Sequence, residues 1–175
     1  MDKNEFRKSC LKKLKKSSHA SNKIYHDYIV SKKVEEIIKE LKPKNILFFS
    51  SLKIEPNLQK LIKKYRSRID IYLPFIEEKS FKMVKYRLPL KQDSFGVFSP
   101  NNSFFKQKDI DMIIVPVVGV DGNFKRVGFG KGMYDRFYEK LQKKPIVIFV
   151  QRQKCFTKEL VCDWHDITCD FYITP

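Results

Sequence analysis

Short apolar runs alternate with segments of helical periodicity, and this alternation restricts the chain to few kinds of fold. The runs lie at 45–50, 69–73, 111–118, 145–150 and 170–174. Strands that are apolar on both faces are typical of a parallel sheet that helices cover on both sides. The sequence therefore predicts an α/β fold, a three-layer Rossmann-like domain with a mostly parallel sheet and helices on both faces.

The segments between the runs predict the helices and set the extent of the domain. Helices are predicted over 2–18, 21–41, 56–66, 132–143 and 155–161. Pro56 is expected in the first turn of the third helix, and Pro74 at the end of the second strand. Residues 76–108 show no clean period, which predicts short strands and loops. A length of 175 residues fits one domain over 1–175, and no linker is visible.

The charge balance is strongly basic, because 36 Lys and Arg residues against 20 Asp and Glu residues leave a net charge of +16. Such a charge attracts nucleic acid, anionic membranes or phosphorylated small molecules, although a solvated lysine-rich surface is the simpler explanation. A hydrophobic content of 42% with 15 Phe excludes a disordered chain. No run of 18 apolar residues and no secretory signal are visible, so we expect a cytoplasmic protein that does not span a membrane.

The four cysteines fit no common metal or redox motif. They are Cys10, Cys155, Cys162 and Cys169. No Cys-x-x-Cys pair exists, and the group formed by Cys162, His165, Asp166 and Cys169 has no usual zinc spacing. We therefore predict no zinc site and reduced thiols.

A glycine-rich loop follows the most apolar run and is the first candidate for a binding site. Gly128, Gly130 and Gly132 surround Lys131 and lead directly into a predicted helix. Ligands of open α/β sheets gather beyond the carboxyl ends of strands. Glycines allow the backbone to approach a phosphate closely, and a helix amino terminus presents unpaired N–H groups to it. The loop therefore predicts a phosphate site.

Charged residues around the loop suit the same ligand. Lys131 supplies a point charge for terminal phosphates, Arg126 can bind their oxygens in a bidentate manner, and Asp135 can hold Mg²⁺. However, the loop matches neither the P-loop pattern nor the dinucleotide fingerprint. A glycine-rich turn that only tightens the connection between strand and helix remains the alternative.

The segment Arg126–Arg136 resembles the Arg-Leu-Gly-x-Gly-x-Gly-Tyr-Tyr-Asp-Arg signature of the 5-formyltetrahydrofolate cyclo-ligase family. Further family features recur in the same order along the chain. They are Lys3 with Arg7, Glu55-Pro56, Phe95-Gly96-Val97 with Pro100, and His165-Asp166 with Asp170. The resemblance therefore extends from residue 3 to residue 174.

This resemblance implies an ATP-dependent ligase that closes 5-formyltetrahydrofolate into 5,10-methenyltetrahydrofolate through a phosphorylated formyl group, releasing ADP and phosphate. It also implies a cytoplasmic monomer that uses Mg²⁺ and small molecules, with no nucleic acid or membrane as partner. The implied ATP contacts are Lys3, Arg7, Arg126, Gly128, Phe129, Gly130, Lys131, Gly132, Met133 and Tyr134. The implied substrate contacts are Ser50, Glu55, Phe95, Phe129, Gly130, Lys131, Gly132 and Met133. Arg126, Lys131 and Tyr134 would be catalytic, and Asp135 and Asp166 would bind the metal.

Several residues depart from the family pattern, and most of them are on the expected folate side. They are Leu58, Phe75, Ser99 and Met133. Two other functions remain open: an RNA-binding protein that uses the basic surface, and a different ATP-dependent or sugar-phosphate enzyme on the same scaffold. Tyr134 can also be a core aromatic residue, since Tyr138 follows it at helical spacing.

Overall fold

A computed structural model describes residues 1–78, 80–92, 98–101 and 108–175 of the chain. The helices are α1 (Lys3–Ser18), α2 (Lys23–Leu41), α3 (Gln59–Tyr65) and α4 (Met133–Glu139). The strands are β1 (Asn45–Leu47), β2 (Asp70–Glu77), β3 (Ser80–Lys85), β4 (Lys91–Gln92), β5 (Phe98–Ser99), β6 (Met112–Pro116), β7 (Gly119–Val120), β8 (Arg126–Val127), β9 (Ile146–Val150) and β10 (Phe171–Ile173). No helix in these parts of the chain is long and apolar enough to cross a bilayer.

Six strands form one mixed sheet in the order β10-β9-β6-β1-β2-β3. All neighbours in this sheet are parallel except β2 and β3. The chain passes from β1 to β2 on one side and later returns to β6 on the other side of β1. This reversal opens a crevice at the carboxyl ends of β1 and β6, where α/β proteins bind ligands. The α/β fold with a mostly parallel sheet is confirmed.

Helices cover both faces of the sheet, as the apolar strands predict. Alternate residues of a strand point to opposite faces. Phe48 and Ile114 belong to the cluster that contains Val34 of α2 and Ile62 of α3. Ile113 and its neighbours on the other face pack in the cluster that contains Phe137 of α4.

Helix α1 packs at the carboxyl edge of the sheet against the hairpin of β7 and β8. Phe6, Cys10 and Leu14 lie in one buried cluster with Val127 and Cys155. Cys10 and Cys155 form a disulfide with a Cα–Cα distance of 5.7 Å, so the expectation of reduced thiols is wrong for this pair. Sequence spacing gave no sign of it, since 145 positions separate the two cysteines. Cys162 and Cys169 are free thiols.

The structure corrects four further expectations about the bounds or presence of helices and strands. Strand β2 continues through Pro74 to Glu77, because β1 has its last register partner at Tyr72 and Pro74 therefore occupies an edge position. The predicted helix over 155–161 is absent, because its backbone groups pair with the hairpin instead: Val120 donates to the Cys155 carbonyl, and Thr157 donates to the Val120 carbonyl. The helix over 56–66 begins three residues later than expected, at Gln59, and α4 ends at Glu139.

Arg152, just after β9, is a buried cation that the sequence did not reveal. Its side chain is 1% exposed. Its Nε donates to Asp27 Oδ1 of α2 at 2.8 Å, and its Nη1 donates to the Lys53 carbonyl at 2.6 Å. Its Nη2 donates to the Glu55 carbonyl. Arg152 therefore ties α2 and the segment after β1 to the carboxyl edge of the sheet.

We predict that Arg152→Leu lowers the free energy of unfolding by about 3–5 kcal/mol, because it leaves Asp27 as a charge without its buried partner. Urea denaturation measures this loss. The matched control Arg66→Leu changes an exposed arginine. Its free energy of unfolding should stay within about 0.5 kcal/mol of the value for the parent protein. A loss below about 1 kcal/mol for Arg152→Leu would show that the pair does not hold these elements together.

Candidate functional site

Two cavities meet at the glycine-rich loop, at the crevice that the strand order creates. The first has a volume of about 400 Å³ and is lined mainly by charged side chains and glycines. The second has a volume of about 310 Å³ and is lined mainly by apolar side chains. Lys131 and Gly132 line both cavities. A ligand in either cavity would therefore lie next to the same loop.

The predicted site residues divide between the two cavities. The first contains Lys3, Arg7, Gly128, Gly130, Lys131, Gly132, Asp135 and Asp166. The second contains Ser50, Glu55, Arg126, Phe129, Lys131, Gly132, Met133 and Tyr134. Phe95 lies outside the described residues. The sequence predicted neither this division nor a site role for the lining residues Phe49, Leu52, Ile76, Phe81, Pro116, Glu139 and Trp164.

The loop needs glycines for two reasons: its backbone conformation and the closeness of the Arg126 side chain. Gly130 and Gly132 have φ values of 97° and 58°, and Gly132 is the N-cap of α4. Other residues rarely adopt this left-handed region. At Gly128 a Cβ atom would collide with the Arg126 guanidinium group. The spacing of glycines at alternate positions therefore serves both the turn and the placement of Arg126.

Helix α1 brings two cations to the first cavity. Arg7 Nε donates to the Gly128 carbonyl at 2.8 Å, which fastens the helix to the loop. Lys3 forms ion pairs with Asp166 and with Asp163, the latter at 2.8 Å. The helix begins with a capping box in which Asp2 and Glu5 exchange hydrogen bonds with each other's backbone. The amino-terminal basic residues are therefore held at the site by the fold.

The two predicted metal ligands line the first cavity together, and their carboxylates suit Mg²⁺. Asp135 Oδ2 accepts from Arg126 Nη1 at 2.9 Å. Asp166 Oδ2 accepts from Lys3 and from the Asp163 backbone N–H, the latter at 2.6 Å. The structure also gathers ligand atoms of Asp163, His165 and Asp166 within 4.8 Å of one another. Hard oxygen donors beside a basic cavity fit a cation that arrives with a phosphorylated ligand.

Glu55 supplies a buried carboxyl group to the apolar cavity. It is 7% exposed, and its Oε2 accepts from the Leu52 backbone N–H at 2.8 Å. Burial raises the pKa of Glu55 to about 7, although Arg126 and Arg152 oppose this shift. Near neutral pH the group therefore exists in both its protonated and its ionised form.

Arg126 links the two cavities, because it lines the apolar one and pairs with Asp135 in the charged one. It is 5% exposed, and its guanidinium carbon lies 5.0 Å from the centre of the Tyr134 ring. Its Nε is buried and has no hydrogen-bond partner among the described residues. A buried donor without a partner is costly, so an acceptor atom of a ligand would be bound favourably here.

Tyr134 combines the two roles that its sequence position left open. It lines the apolar cavity, and its ring packs edge-on against Phe81 with the centroids 4.9 Å apart. Burial raises the pKa of Tyr134, so its hydroxyl group stays protonated at neutral pH. Among the residues that depart from the family pattern, Met133 lines this cavity, whereas Leu58 is buried in the core between the sheet, α2 and α3.

Comparisons with known proteins agree with the resemblance seen in the sequence. The profile of the 5-formyltetrahydrofolate cyclo-ligase family matches residues 1–175. The 5-formyltetrahydrofolate cyclo-ligase of Mycoplasma pneumoniae is 27% identical over 175 residues, covering 99% of this chain and 98% of that protein. The Haemophilus influenzae enzyme of the same name is 27% identical over 120 residues, covering 63% of this chain and 64% of that protein, which is just under two thirds.

Two solved structures share the fold. The 5,10-methenyltetrahydrofolate synthetase of Aquifex aeolicus superimposes with a TM-score of 0.79 at 24% identity, covering 98% of this chain and 89% of that one. The Mycoplasma pneumoniae 5,10-methenyltetrahydrofolate synthetase gives a TM-score of 0.73 at 22% identity and covers 99% of both chains.

We predict that Glu55→Gln stabilises the protein more at pH 8 than at pH 5. In the unfolded chain Glu55 ionises near pH 4.5, whereas in the folded protein its pKa is about 7. At low pH the protonated carboxyl group therefore adds to the free energy of unfolding. This added stability, on the order of 3 kcal/mol, is lost as the pH rises through 7. Glutamine has no such dependence, so the difference in unfolding free energy between variant and parent should grow with pH.

Urea denaturation of both proteins between pH 5 and pH 8 measures this difference. Glu40→Gln, at an exposed position near the end of α2, is the control and should leave the pH profile of the parent unchanged. Parallel profiles for the parent and Glu55→Gln would show that Glu55 has an ordinary pKa.

Proposed function

The chain belongs to the 5-formyltetrahydrofolate cyclo-ligase family, and we propose that it closes 5-formyltetrahydrofolate into 5,10-methenyltetrahydrofolate with cleavage of ATP to ADP and phosphate. Family membership makes it an enzyme of the ligase class, as the sequence indicates. The main support for this reaction is the pair of cavities, one basic and one apolar, that share Lys131 and Gly132.

The first cavity is the proposed ATP site. Its described lining includes four cations, Lys3, Arg7, Lys131 and Arg136, around the left-handed turn at Gly130 and Gly132. Basic side chains and closely approaching backbone N–H groups together suit a triphosphate. The basic charge of the protein would in addition attract anionic substrates.

The second cavity is the proposed pterin site. Phe49, Pro74, Ile76 and Phe81 offer apolar surface to a flat ring system, and Glu55 lies among them as a buried carboxyl group. A pterin carries an amino group next to a ring N–H, and both can donate hydrogen bonds to one ionised carboxylate. Glu55 would thus orient the folate, with Ser50 and Met133 as further contacts. The role of Phe95 stays a prediction.

The proposed chemistry activates the formyl group by phosphorylation. The formyl oxygen attacks the γ-phosphorus of ATP, ADP leaves, and the product is an N5-iminium phosphate. N10 then adds to the activated carbon and loses its proton, and the carbon–oxygen bond breaks to release phosphate. Phosphoryl transfer of this kind depends on positioning and charge neutralisation rather than on a protein nucleophile.

Arg126 and Lys131 are the proposed catalytic cations, with Tyr134 positioning the substrate beside them. Lys131 lies where the cavities meet, so its ammonium group can neutralise charge on the transferred phosphoryl group. The Nε of Arg126, which has no hydrogen-bond partner in the described part of the chain, can donate to a ligand oxygen in the apolar cavity. Asp135 and Asp166 would hold Mg²⁺, which when bound neutralises phosphate charge. We further propose a cytoplasmic monomer that acts on small molecules rather than on nucleic acid or membranes.

We predict that the purified protein, ATP, Mg²⁺ and 5-formyltetrahydrofolate together produce the near-ultraviolet absorbance of the methenyl bridge. Omitting ATP should abolish the change, because the formyl oxygen is then never phosphorylated. A change that does not require ATP, or no change where an authentic cyclo-ligase reacts, would contradict the proposal.

Lys131→Ala and Asp135→Asn should each reduce kcat by about 10²- to 10³-fold, the usual effect of removing one contact to developing charge. The matched control Lys143→Ala removes an exposed cation beyond α4 and should turn over like the parent protein. Circular dichroism of each variant checks that the fold is kept. Near-normal turnover in Lys131→Ala would remove this lysine from the mechanism.

A further inference from the structure

The one tryptophan of the chain is exposed inside the charged cavity. Trp164 is 85% exposed and is part of the lining of that cavity. Indole is a large apolar group that proteins usually bury. In this protein the indole is exposed to solvent beside His165 and Asp166, which line the same cavity.

The backbone that carries Trp164 is held in place although its ring is exposed. Lys125 Nζ donates to the carbonyls of Asp163 and Trp164 at 2.7 and 3.2 Å. The Asp163 N–H donates to Asp166 Oδ2, and the Asp166 N–H donates to the Asp163 carbonyl. The indole itself packs edge-on against His165, with the centroids 5.4 Å apart. Trp164 is thus an aromatic face on a fixed turn.

Apart from Trp164 and His165, the described lining of this cavity is glycine and charged side chains. These groups suit phosphates and a cation but present no flat apolar face to a heterocyclic base. Only Trp164 and His165 among the described lining residues are aromatic. Aromatic side chains bind bases by stacking, whatever the pattern of hydrogen bonds.

We propose that Trp164 stacks on the purine base of ATP and so sets the direction of the nucleotide, with the triphosphate at the glycine-rich loop. This inference rests on the proposed use of ATP. It makes Trp164 a nucleotide-binding residue that acts on affinity for the base and not on the phosphoryl transfer itself.

The fluorescence of the protein tests this directly, because excitation at the red edge of the indole band reports Trp164 alone. We expect ADP with Mg²⁺ to protect Trp164 from quenching by acrylamide. Inorganic tripolyphosphate, which lacks a base, should compete with ADP for the cavity without giving that protection. Unchanged acrylamide quenching at saturating ADP would overturn the proposal.

Variants give a second readout. Trp164→Ala should weaken ADP binding by about tenfold in calorimetry, whereas Trp164→Phe should retain most of the affinity. Affinity for tripolyphosphate and the KM for 5-formyltetrahydrofolate should stay at the parent values. Leu160→Ala, which removes an exposed apolar side chain of the preceding loop, is the control and should bind ADP normally.

The outcomes separate the two proposals. If Trp164→Ala binds ADP like the parent while ATP-dependent methenyl formation continues, the stacking role is wrong and the proposed function stands. If the parent protein binds neither ADP nor tripolyphosphate and forms no methenyl product, both proposals are overturned.

Discussion

The buried ion pair between Arg126 and Asp135 is the interaction on which the site depends. It joins the strand that precedes the glycine-rich loop to the first turn of the helix that follows it, with a distance of 2.9 Å between Arg126 Nη1 and Asp135 Oδ2. Both side chains are largely buried, so removing either one would leave the other charge without its partner in a region that water reaches poorly. Because Arg126 faces the apolar cavity and Asp135 the charged one, this single pair fixes how the two cavities meet.

Helix α1 completes the charged cavity. A disulfide, ion pairs and a hydrogen bond hold it to the rest of the protein. Its apolar face carries the disulfide between Cys10 and Cys155, and its polar side reaches the site through Lys3 and Arg7. A basic residue on a loose terminus would lose much of its attraction for phosphate to conformational entropy. Here the fold has already ordered the helix, so the cations are positioned before a ligand arrives.

The features that were predictable from sequence are those that depend on neighbouring residues. Apolar runs predicted the strands around Ile113 and Phe149, and glycine spacing predicted the turn that carries Lys131. Partners brought together by the fold were not predictable. Arg152 finds Asp27 across 125 positions, and the hairpin of β7 and β8 takes the backbone hydrogen bonds that a helix over 155–161 would have used. The division of the site into two cavities has the same origin, since α1 and residues 164–166 line the charged cavity whereas β2, β3 and the segment after β1 line the apolar one.

In the proposed mechanism a phosphate donor and a folate meet at Lys131 and Gly132 from opposite cavities. The most direct measurement is a crystal structure of the protein with a non-hydrolysable ATP analogue and 5-formyltetrahydrofolate. We expect the triphosphate in the cavity of Arg7 and Asp166, the pterin beside Glu55, and the formyl oxygen about 3–3.5 Å from the terminal phosphorus. A triphosphate bound away from the glycine-rich loop, or both ligands in a single cavity, would contradict it.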